Sequence, residues 1–158
     1  KVYAFEPIIP NYKVLKRNID CNSLSNIVQI ENIGVSNKSG TLKGVTSDDG
    51  GPWSFLGEER GNIDVEVTTI DDFVESNNIK NVDFIKIDVE GLEKKVIEGA
   101  KETIQKKNPK LAVAIYHNTS DLITLPLQIN KMGKYNLYLR SKVDGPFGFT
   151  LYTKYSDK

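Results

Sequence analysis

Charged side chains interrupt a short apolar run near the middle of the chain, where residues 82–93 read VDFIKIDVEGLE. Lys86, Asp88 and Glu90 stand at alternate positions of this run, and Gly91 then marks a turn. Because side chains alternate along a strand, Lys86 and Asp88 are expected on one face. Burying the lysine without a partner would be costly, and Asp88 is the nearest candidate partner.

The run Phe84–Val89 predicts a strand that is buried on both faces, as in a parallel sheet. Asp88 would then lie near the carboxyl end of a central strand, with Glu90 just beyond it. Ligands bind at that edge in open α/β sheets. The simpler interpretation is that either acid only caps the helix that follows.

Two further predicted strands end at polar residues. The strand Lys1–Phe5 stops at Glu6-Pro7, and the strand Leu111–Tyr116 is followed by His117. If all three strands are parallel, these side chains lie along one sheet edge together with Asp88. A lone histidine at a strand end is more often structural than catalytic, but its neighbours here are polar strand ends.

Periodicity and turn residues predict the elements that position this edge. The other predicted strands are Ile27–Val35, Thr41–Val45 as its antiparallel hairpin partner, Ile63–Thr68, Tyr135–Arg140 and Phe147–Tyr155. The predicted helices run from Pro10 to Cys21-Asn22, over Ile70–Ser76 with Thr69 as cap, from Gly91 to Asn108 with either a break or close packing at Gly99, and from Thr119 or Ser120 to Met132-Gly133. The segment 47–62, with Trp53, is expected to be either a lid or a surface loop.

Composition restricts the class of protein. The 158 residues suit one domain, and 21 basic residues balance 21 acidic ones. No basic tract suggests a nucleic acid partner, and no apolar stretch is long enough to cross a membrane. The single cysteine, Cys21, excludes an internal disulfide and suits a reducing, cytoplasmic compartment. With one cysteine and one histidine, a zinc site of the usual ligands is not expected.

Five segments, in order, carry a family resemblance: VYAFEP, GVSNKSG, VTTIDDF, DFIKIDVEGLEKKVIEGA and LAVAIYH. Together they resemble the FkbM-type methyltransferases, S-adenosylmethionine-dependent enzymes that mostly O-methylate sugars or polyketide-type natural products. The block DFIKIDVEG is the most specific part. The resemblance implies an α/β, Rossmann-like class I methyltransferase fold in a single domain over residues 1–158. It also implies a mostly parallel sheet with an antiparallel C-terminal strand pair.

The resemblance implies a cofactor site at four positions in the first third of the chain and at Asp88. Glu6, with Pro7 beside it, is similar to the acid that holds the ribose hydroxyls of S-adenosylmethionine, and a carboxylate can accept two bonds from a vicinal diol. Gly34 and Val35 are similar to the segment that lines the adenine. Asp88 is similar to the residue at the methionine end of the cofactor.

The resemblance places catalysis at Asp88, Glu90 and His117. Asp88, with Glu90 beside it, is similar to a residue at the transfer site. His117 is similar to a substrate-side residue or general base, and an ordinary imidazole suits removal of a hydroxyl proton near neutral pH.

One departure from the family concerns its first strand and glycine-rich loop, which should precede Lys1 and are missing from residues 1–158. In the family that strand lies between the strands corresponding to Lys1–Phe5 and Phe84–Val89. Either the chain is cut from a longer protein, or those two strands pair directly, or another chain fills the gap. We expect residues 1–158 alone to be inactive.

The leading hypothesis is transfer of a methyl group to a hydroxyl of a saccharide or other small molecule, with no metal ion. One alternative is a catalytically inactive methyltransferase-like domain that serves as a binding or scaffold module. Another is metal-dependent chemistry, with Asp88, Glu90 and Glu6 holding Mg²⁺ through oxygen ligands.

Overall fold

The computed structural model describes residues 1–46, 61–141 and 148–156, together with the backbone of residues 55–56. The chain divides into two compact units, Lys1–Thr68 and Thr69–Lys158. Each unit contains helices and strands, so the mixed α/β class is confirmed. None of the helices in the described ranges has the length and apolar character needed to cross a bilayer.

Among its described residues the first unit holds two sheets and one helix. Its elements are β1 (Val2–Phe5), α1 (Ile9–Cys21), β2 (Val28–Glu31), β3 (Gly34–Val35), β4 (Gly40–Val45), β5 (Phe55–Leu56) and β6 (Ile63–Thr68). Strands β1 and β2 pair in parallel, and the second sheet has the order β3-β6-β4-β5. In that second sheet β3 and β6 are parallel, whereas β4 is antiparallel to both of its neighbours.

Two predictions for this unit are wrong. The strand predicted over Ile27–Val35 is two strands, β2 and β3, which belong to different sheets because the chain bends at residues 32–33. The segment Thr41–Val45 is antiparallel as expected, but it pairs with β6 and β5. Its Leu42 lies opposite Val65 and packs on a buried cluster, so side-chain burial decides its partner strand.

The alternating segment Ile63–Thr68 is a strand with the bounds that the sequence predicts. Val65 and Val67 of β6 are buried, while Asp64 and Glu66 on the opposite face are exposed. Ile8, at the turn between β1 and α1, packs against the two valines. This cluster fixes the turn that carries Glu6, because Ile8 is its buried anchor.

The second unit holds one sheet and four helices among its described residues. Its elements are α2 (Ile70–Ser76), β7 (Phe84–Ile87), α3 (Glu93–Glu98), α4 (Lys101–Lys107), β8 (Lys110–Ala114), α5 (Asp121–Asn130), β9 (Tyr135–Ser141) and β10 (Phe149–Tyr155). The strand order is β7-β8-β10-β9. Only β7 and β8 are parallel within it, and β10 is antiparallel to β8 and β9. The antiparallel C-terminal pair is confirmed, whereas a mostly parallel sheet is not what the described strands form.

The helix ends in this unit follow local sequence signals. Thr69 Oγ1 accepts a hydrogen bond of 2.8 Å from Asp72 N and so caps α2 as predicted. The predicted break at Gly99 separates α3 from α4. At the start of α5, however, Ser120 occupies the cap position without a side-chain cap bond, and Pro126 lies inside a continuous helix.

Strand β7 is less buried than the sequence predicts. It is an edge strand among the described strands of its sheet, so one of its two edges has no described partner strand. Phe84 is 55% exposed, while Ile87 is almost fully buried. The core of the unit lies instead around α3, α4, α5 and β8, with side chains that include Val96, Ile97, Ile104, Leu111, Val113, Leu125 and Ile129.

Two predicted features lie outside the described residues. These are the aromatic loop around Trp53, interpreted as a lid or a surface loop, and the connection that joins the predicted strands Tyr135–Arg140 and Phe147–Tyr155 through Asp144-Gly145-Pro146.

Candidate active site

The parallel pair β7 and β8 brings the candidate catalytic residues together. Ile87, the last residue of β7, lies opposite Val113 of β8, so both strands end at the same edge. Asp88 directly follows β7, and His117 follows β8 after a short extension. This edge therefore places an acid and an imidazole next to each other, as the sequence predicts.

His117 is surrounded by carboxylates. Its Nε2 lies 3.2 Å from Glu90 Oε2 and 4.0 Å from Asp88 Oδ1. Its Nδ1 lies 2.9 Å from Glu93 Oε1. Two of these acids were expected at this edge, whereas Glu93 was not.

The contacts of the His117 ring are close but poorly aligned. Its side chain is 11% exposed, and both ring nitrogens are buried without a hydrogen-bond partner among the described residues. Since the N···O distances are short, the failure lies in the angle: the nitrogen axes do not point along the lines to the nearest carboxylate oxygens. These are close polar contacts, and a small rotation of the ring would turn one of them into a hydrogen bond.

Glu93 is a fully buried carboxylate that supports the histidine. Its side chain is 0% exposed. It accepts hydrogen bonds from Val89 N at 2.9 Å and from Gly91 N at 3.1 Å. Backbone N–H groups of the loop between β7 and α3 therefore hold this carboxylate. These bonds fix the position of the Glu93 carboxylate beside the His117 ring.

A signal for Glu93 was present in the sequence. In helical spacing, Glu93 falls on the same face as Val96, Ile97 and Ala100, which are buried. A carboxylate on an apolar helix face needs partners inside the protein, and such groups are frequent at functional sites.

The loop between β7 and α3 has an unusual backbone. Glu90 has φ +53° and Gly91 has φ +99°, both in the region that most side chains avoid. A Cβ on Gly91 would meet only ordinary contact, with Asn118 Nδ2 at 3.7 Å. Glycine is thus required there by its dihedral angle and not by crowding. The left-handed Glu90 turns its carboxylate toward His117.

Asp88 has partners on both of its oxygens. Lys86 Nζ lies 2.8 Å from Oδ2, which is the predicted pairing, although the lysine is 59% exposed and not buried. The Tyr116 hydroxyl donates to Oδ1 at 3.4 Å. Burial, and then the charge of Asp88, raises the pKa of Tyr116 above its usual range, so this hydroxyl stays a donor. Its ring lies tilted against His117, with centroids 4.2 Å apart.

Glu6 lies in the first unit, just after β1. Its Oε1 accepts a 2.8 Å hydrogen bond from Ile8 N. Burial raises the pKa of the Glu6 carboxyl above its ordinary value, and the bond from Ile8 partly opposes this. Asn32, which the sequence analysis did not single out, donates through Nδ2 to the backbone oxygens of Glu6 and Pro7 at 2.9 and 3.1 Å.

The other residues predicted to contact the cofactor also lie in the first unit. Gly34 and Val35 form β3, where they lie opposite Val67 and Thr68 of β6, and Gly34 is buried. The structure thus brings Asp88, Glu90 and His117 together in the second unit. A common site for these three and Glu6 stays a prediction.

Comparisons with protein families, curated proteins and solved structures identify what the chain is similar to. The model of the methyltransferase FkbM domain matches residues 1–143. No curated protein matches the chain. Among solved structures the chain is similar to methyltransferase FkbM from Methylobacillus flagellatus KT, with a TM-score of 0.76 and 24% identity. That match covers 97% of this chain and 36% of the other, so the chain spans about a third of that protein's length. Because the family model covers most of the sequence, the chain belongs to the family of methyltransferase FkbM domains.

Proposed function

We propose that the protein is an S-adenosylmethionine-dependent O-methyltransferase that acts on a hydroxyl of a sugar or a natural-product-like small molecule. Family membership supports a methyltransferase. The proposal includes the methyl donor, the acceptor class and a cytoplasmic location. It also includes the action of residues 1–158 as one methyltransferase-like domain. Neither a nucleic acid nor a membrane is proposed as a partner.

The observation that carries the proposal is the position of His117 Nε2, 3.2 Å from Glu90 Oε2 and 4.0 Å from Asp88 Oδ1. S-adenosylmethionine, when bound, supplies a methyl carbon that its sulfonium already activates. The protein must mainly orient the acceptor hydroxyl and accept its proton. Imidazole and carboxylate groups at one strand edge can do both, because each accepts a hydrogen bond from a hydroxyl.

Glu6, in the first unit, supports the part of the proposal that concerns binding of the methyl donor. Ile8 N occupies Oε1 of this carboxylate, which leaves Oε2 to accept a ribose hydroxyl. Asn32 holds the backbone of Glu6-Pro7 in place through both carbonyl oxygens. The residues present therefore fit a ribose diol. Gly34, without a side chain, would let the adenine approach the backbone of β3 beside Val35.

The acceptor class follows from the polar character of the proposed transfer site. The side chains of Asp88 and Glu90 are 35% and 41% exposed. The neighbouring Tyr116 hydroxyl and Lys86 ammonium add donors to these acceptors. A mixed set of donors and acceptors matches a compound with several hydroxyls better than an apolar one.

Calorimetry of the full-length protein with S-adenosylmethionine and its demethylated product tests the donor. We expect binding that Glu6→Ala weakens at least tenfold, about 1.4 kcal/mol. The control is Glu66→Ala, since Glu66 is an exposed acid on β6 of the same unit. No heat at about 1 mM ligand, the weak end of specific binding, would favour the scaffold alternative. Equal affinity of the wild type and Glu6→Ala would overturn the role of Glu6.

The transfer step is tested by His117→Ala in the same protein. Incubation with labelled donor and a panel of saccharides and small hydroxylated compounds should give methylated product with the wild type. The variant should retain donor affinity while its turnover falls, because His117 is proposed to act on the acceptor. Loss of donor binding together with turnover would instead place His117 at the cofactor.

A further inference from the structure

Ligand atoms of Asp88, Glu90 and His117 all lie within 4.8 Å of one another. We propose that these three residues bind a first-row divalent cation of the Mn²⁺ or Zn²⁺ type. Protein nitrogen and oxygen ligands lie about 2.0–2.2 Å from such an ion, so two ligand atoms on one ion are roughly 3–4 Å apart. The 3.2 and 4.0 Å separations from His117 Nε2 fall in that range.

The histidine is the observation that separates this cluster from an ordinary group of surface acids. Both of its ring nitrogens are buried and lack a hydrogen-bond partner among the described residues. A buried polar atom left in this way costs about 1–3 kcal/mol, so native structures seldom keep one without a function. A cation on the axis of Nε2, with Glu90 and Asp88 to the side, would give that nitrogen a partner.

Glu93 is placed to support a metal-bound imidazole once a small rotation of the ring aligns Nδ1 of His117 with its carboxylate. Such a histidine almost always directs its second ring nitrogen to a carboxylate, a carbonyl or water, which fixes the ring orientation. Here Glu93 Oε1 lies 2.9 Å from Nδ1. Glu93 itself is held by Val89 N and Gly91 N. Nε2 is thereby directed to the side where the other two carboxylates lie.

The local charge favours a cation. Three carboxylates, those of Asp88, Glu90 and Glu93, surround one imidazole, and Lys86 pairs with only one of them. Lys86 uses Asp88 Oδ2, so Oδ1 remains on the side of His117. Opposite charge within a few ångströms of a partly buried cluster is stabilising.

The types of the three ligand atoms, one imidazole nitrogen and two carboxylate oxygens, indicate which metal ions would bind. Imidazole suits zinc and iron, whereas carboxylate suits magnesium, calcium and manganese. Dedicated Ca²⁺ and Mg²⁺ sites use oxygen ligands. One nitrogen with two carboxylates therefore favours Mn²⁺ or Zn²⁺. A role of this ion in activating the acceptor hydroxyl rests on the proposed methyl transfer, but the binding of the ion does not.

Binding is tested with Mn²⁺ alone, in the absence of methyl donor and acceptor. Titration followed by electron paramagnetic resonance should give a bound ion whose spin-echo modulation reports one imidazole nitrogen. Glu90→Gln should lower the affinity at least tenfold, and His117→Gln should remove the nitrogen signal. Glu93→Gln should lower affinity about 10- to 100-fold, the usual effect of losing a group that orients a ligand. The matched control is Glu66→Gln, which should change neither affinity nor signal.

The outcomes separate this proposal from the methyl-transfer proposal. No bound Mn²⁺ at about 1 mM, an affinity typical of weak protein cation sites, overturns the metal site. Binding without nitrogen modulation, or with unchanged affinity in Glu90→Gln, also overturns it. If His117→Gln does not fold, Glu90→Gln still decides, because the Glu90 side chain is partly exposed. Calorimetry with S-adenosylmethionine is a separate measurement from the Mn²⁺ titration, so either proposal can fail while the other stands.

Discussion

Glu93 Oε1 lies 2.9 Å from Nδ1 of His117, and the Glu93 side chain has no exposed surface. The same carboxylate accepts bonds from the backbone of Val89 and Gly91. One buried acid thus joins the loop after β7 to the loop after β8. Whether the histidine acts as a base or as a ligand, its ring lies against a carboxylate that the solvent does not reach.

The first prediction concerns the tautomer of His117. In the neutral ring, the proton should reside on Nδ1, facing Glu93, and Nε2 should be unprotonated. The chain has a single histidine, so a long-range proton–nitrogen correlation spectrum reports this ring without assignment work. Glu93→Gln should shift the population toward the other tautomer, because an amide can also donate.

The same variant should destabilise the fold. A glutamine can accept from only one of the two backbone donors with its single oxygen, so one partly buried N–H loses its partner. We expect a loss of about 1–3 kcal/mol in the free energy of unfolding, measured by urea denaturation. A wild-type tautomer and an unchanged midpoint in Glu93→Gln would contradict the assigned role.

The sequence predicted which side chains meet at this edge better than it predicted the sheet that carries them. The bounds of β6 and α2 and the break at Gly99 follow from local signals: alternation, a threonine cap and a glycine within a helical pattern. The pairing of Lys86 with Asp88 and the position of His117 beside Asp88 follow from strand periodicity and parallel neighbours. Each of these depends on residues close in sequence or on one strand pairing.

The errors concern relationships between distant parts of the chain. The apolar run Phe84–Val89 has the composition of a central strand, yet β7 is an edge strand among the strands that the structure describes, and only the sheet as a whole determines that. The partner of β4 depends on which strand offers buried side chains such as Val65 opposite Leu42. Glu93 was missed because a glutamate near a helix start is usually interpreted as part of a solvated face.

The second prediction is a pH effect of Glu6 on stability. Burial raises the pKa of the folded-state carboxyl above the ordinary value of 4.5. Below the ordinary value both the folded and the unfolded forms are protonated, and no penalty exists. As pH rises toward and through the folded pKa, the folded protein must hold a partly buried charge, so this group lowers stability.

Glu6→Gln removes that titration. The difference in unfolding free energy between variant and wild type should therefore rise in favour of the variant as the pH increases from about 4 toward neutral. Glu66→Gln, at an exposed position on β6, serves as the control and should give a flatter difference. A constant difference for Glu6→Gln across this range would show that burial does not raise the pKa.

The third prediction concerns Asp71, whose carboxylate caps a helix other than its own. It accepts bonds from Glu102 N at 2.9 Å and Thr103 N at 2.8 Å, at the start of α4. The residue before α4, Ala100, offers no side-chain cap. Asp71→Ala should therefore cost about 0.5–2 kcal/mol of stability, the usual range for a lost cap.

Asp71→Asn should cost less than Asp71→Ala, since one amide oxygen still accepts. Thermal or urea unfolding of the three proteins measures the order. If the alanine and asparagine variants are equally stable, the two backbone bonds are not what Asp71 contributes.

The fourth prediction is that replacing Glu90 with glycine raises stability and lowers function. Its φ of +53° places a glutamate in the left-handed region, which costs a non-glycine residue about 1–2 kcal/mol, whereas glycine adopts it freely. Because glycine also gives the unfolded chain more freedom, worth about 0.5–1 kcal/mol, the net gain of Glu90→Gly should be up to about 1.5 kcal/mol. The same change removes a carboxylate beside His117, so Mn²⁺ affinity and methyl transfer should fall.

Asn108 provides the matched control for this prediction. It ends α4 with φ +51°, nearly the same backbone conformation. Asn108→Gly should give a smaller gain, because asparagine tolerates the left-handed region better than glutamate, and it should leave Mn²⁺ binding unchanged. A Glu90→Gly protein that is less stable than the wild type, or that keeps full Mn²⁺ affinity, would show that this strained residue is retained for packing and not for its carboxylate.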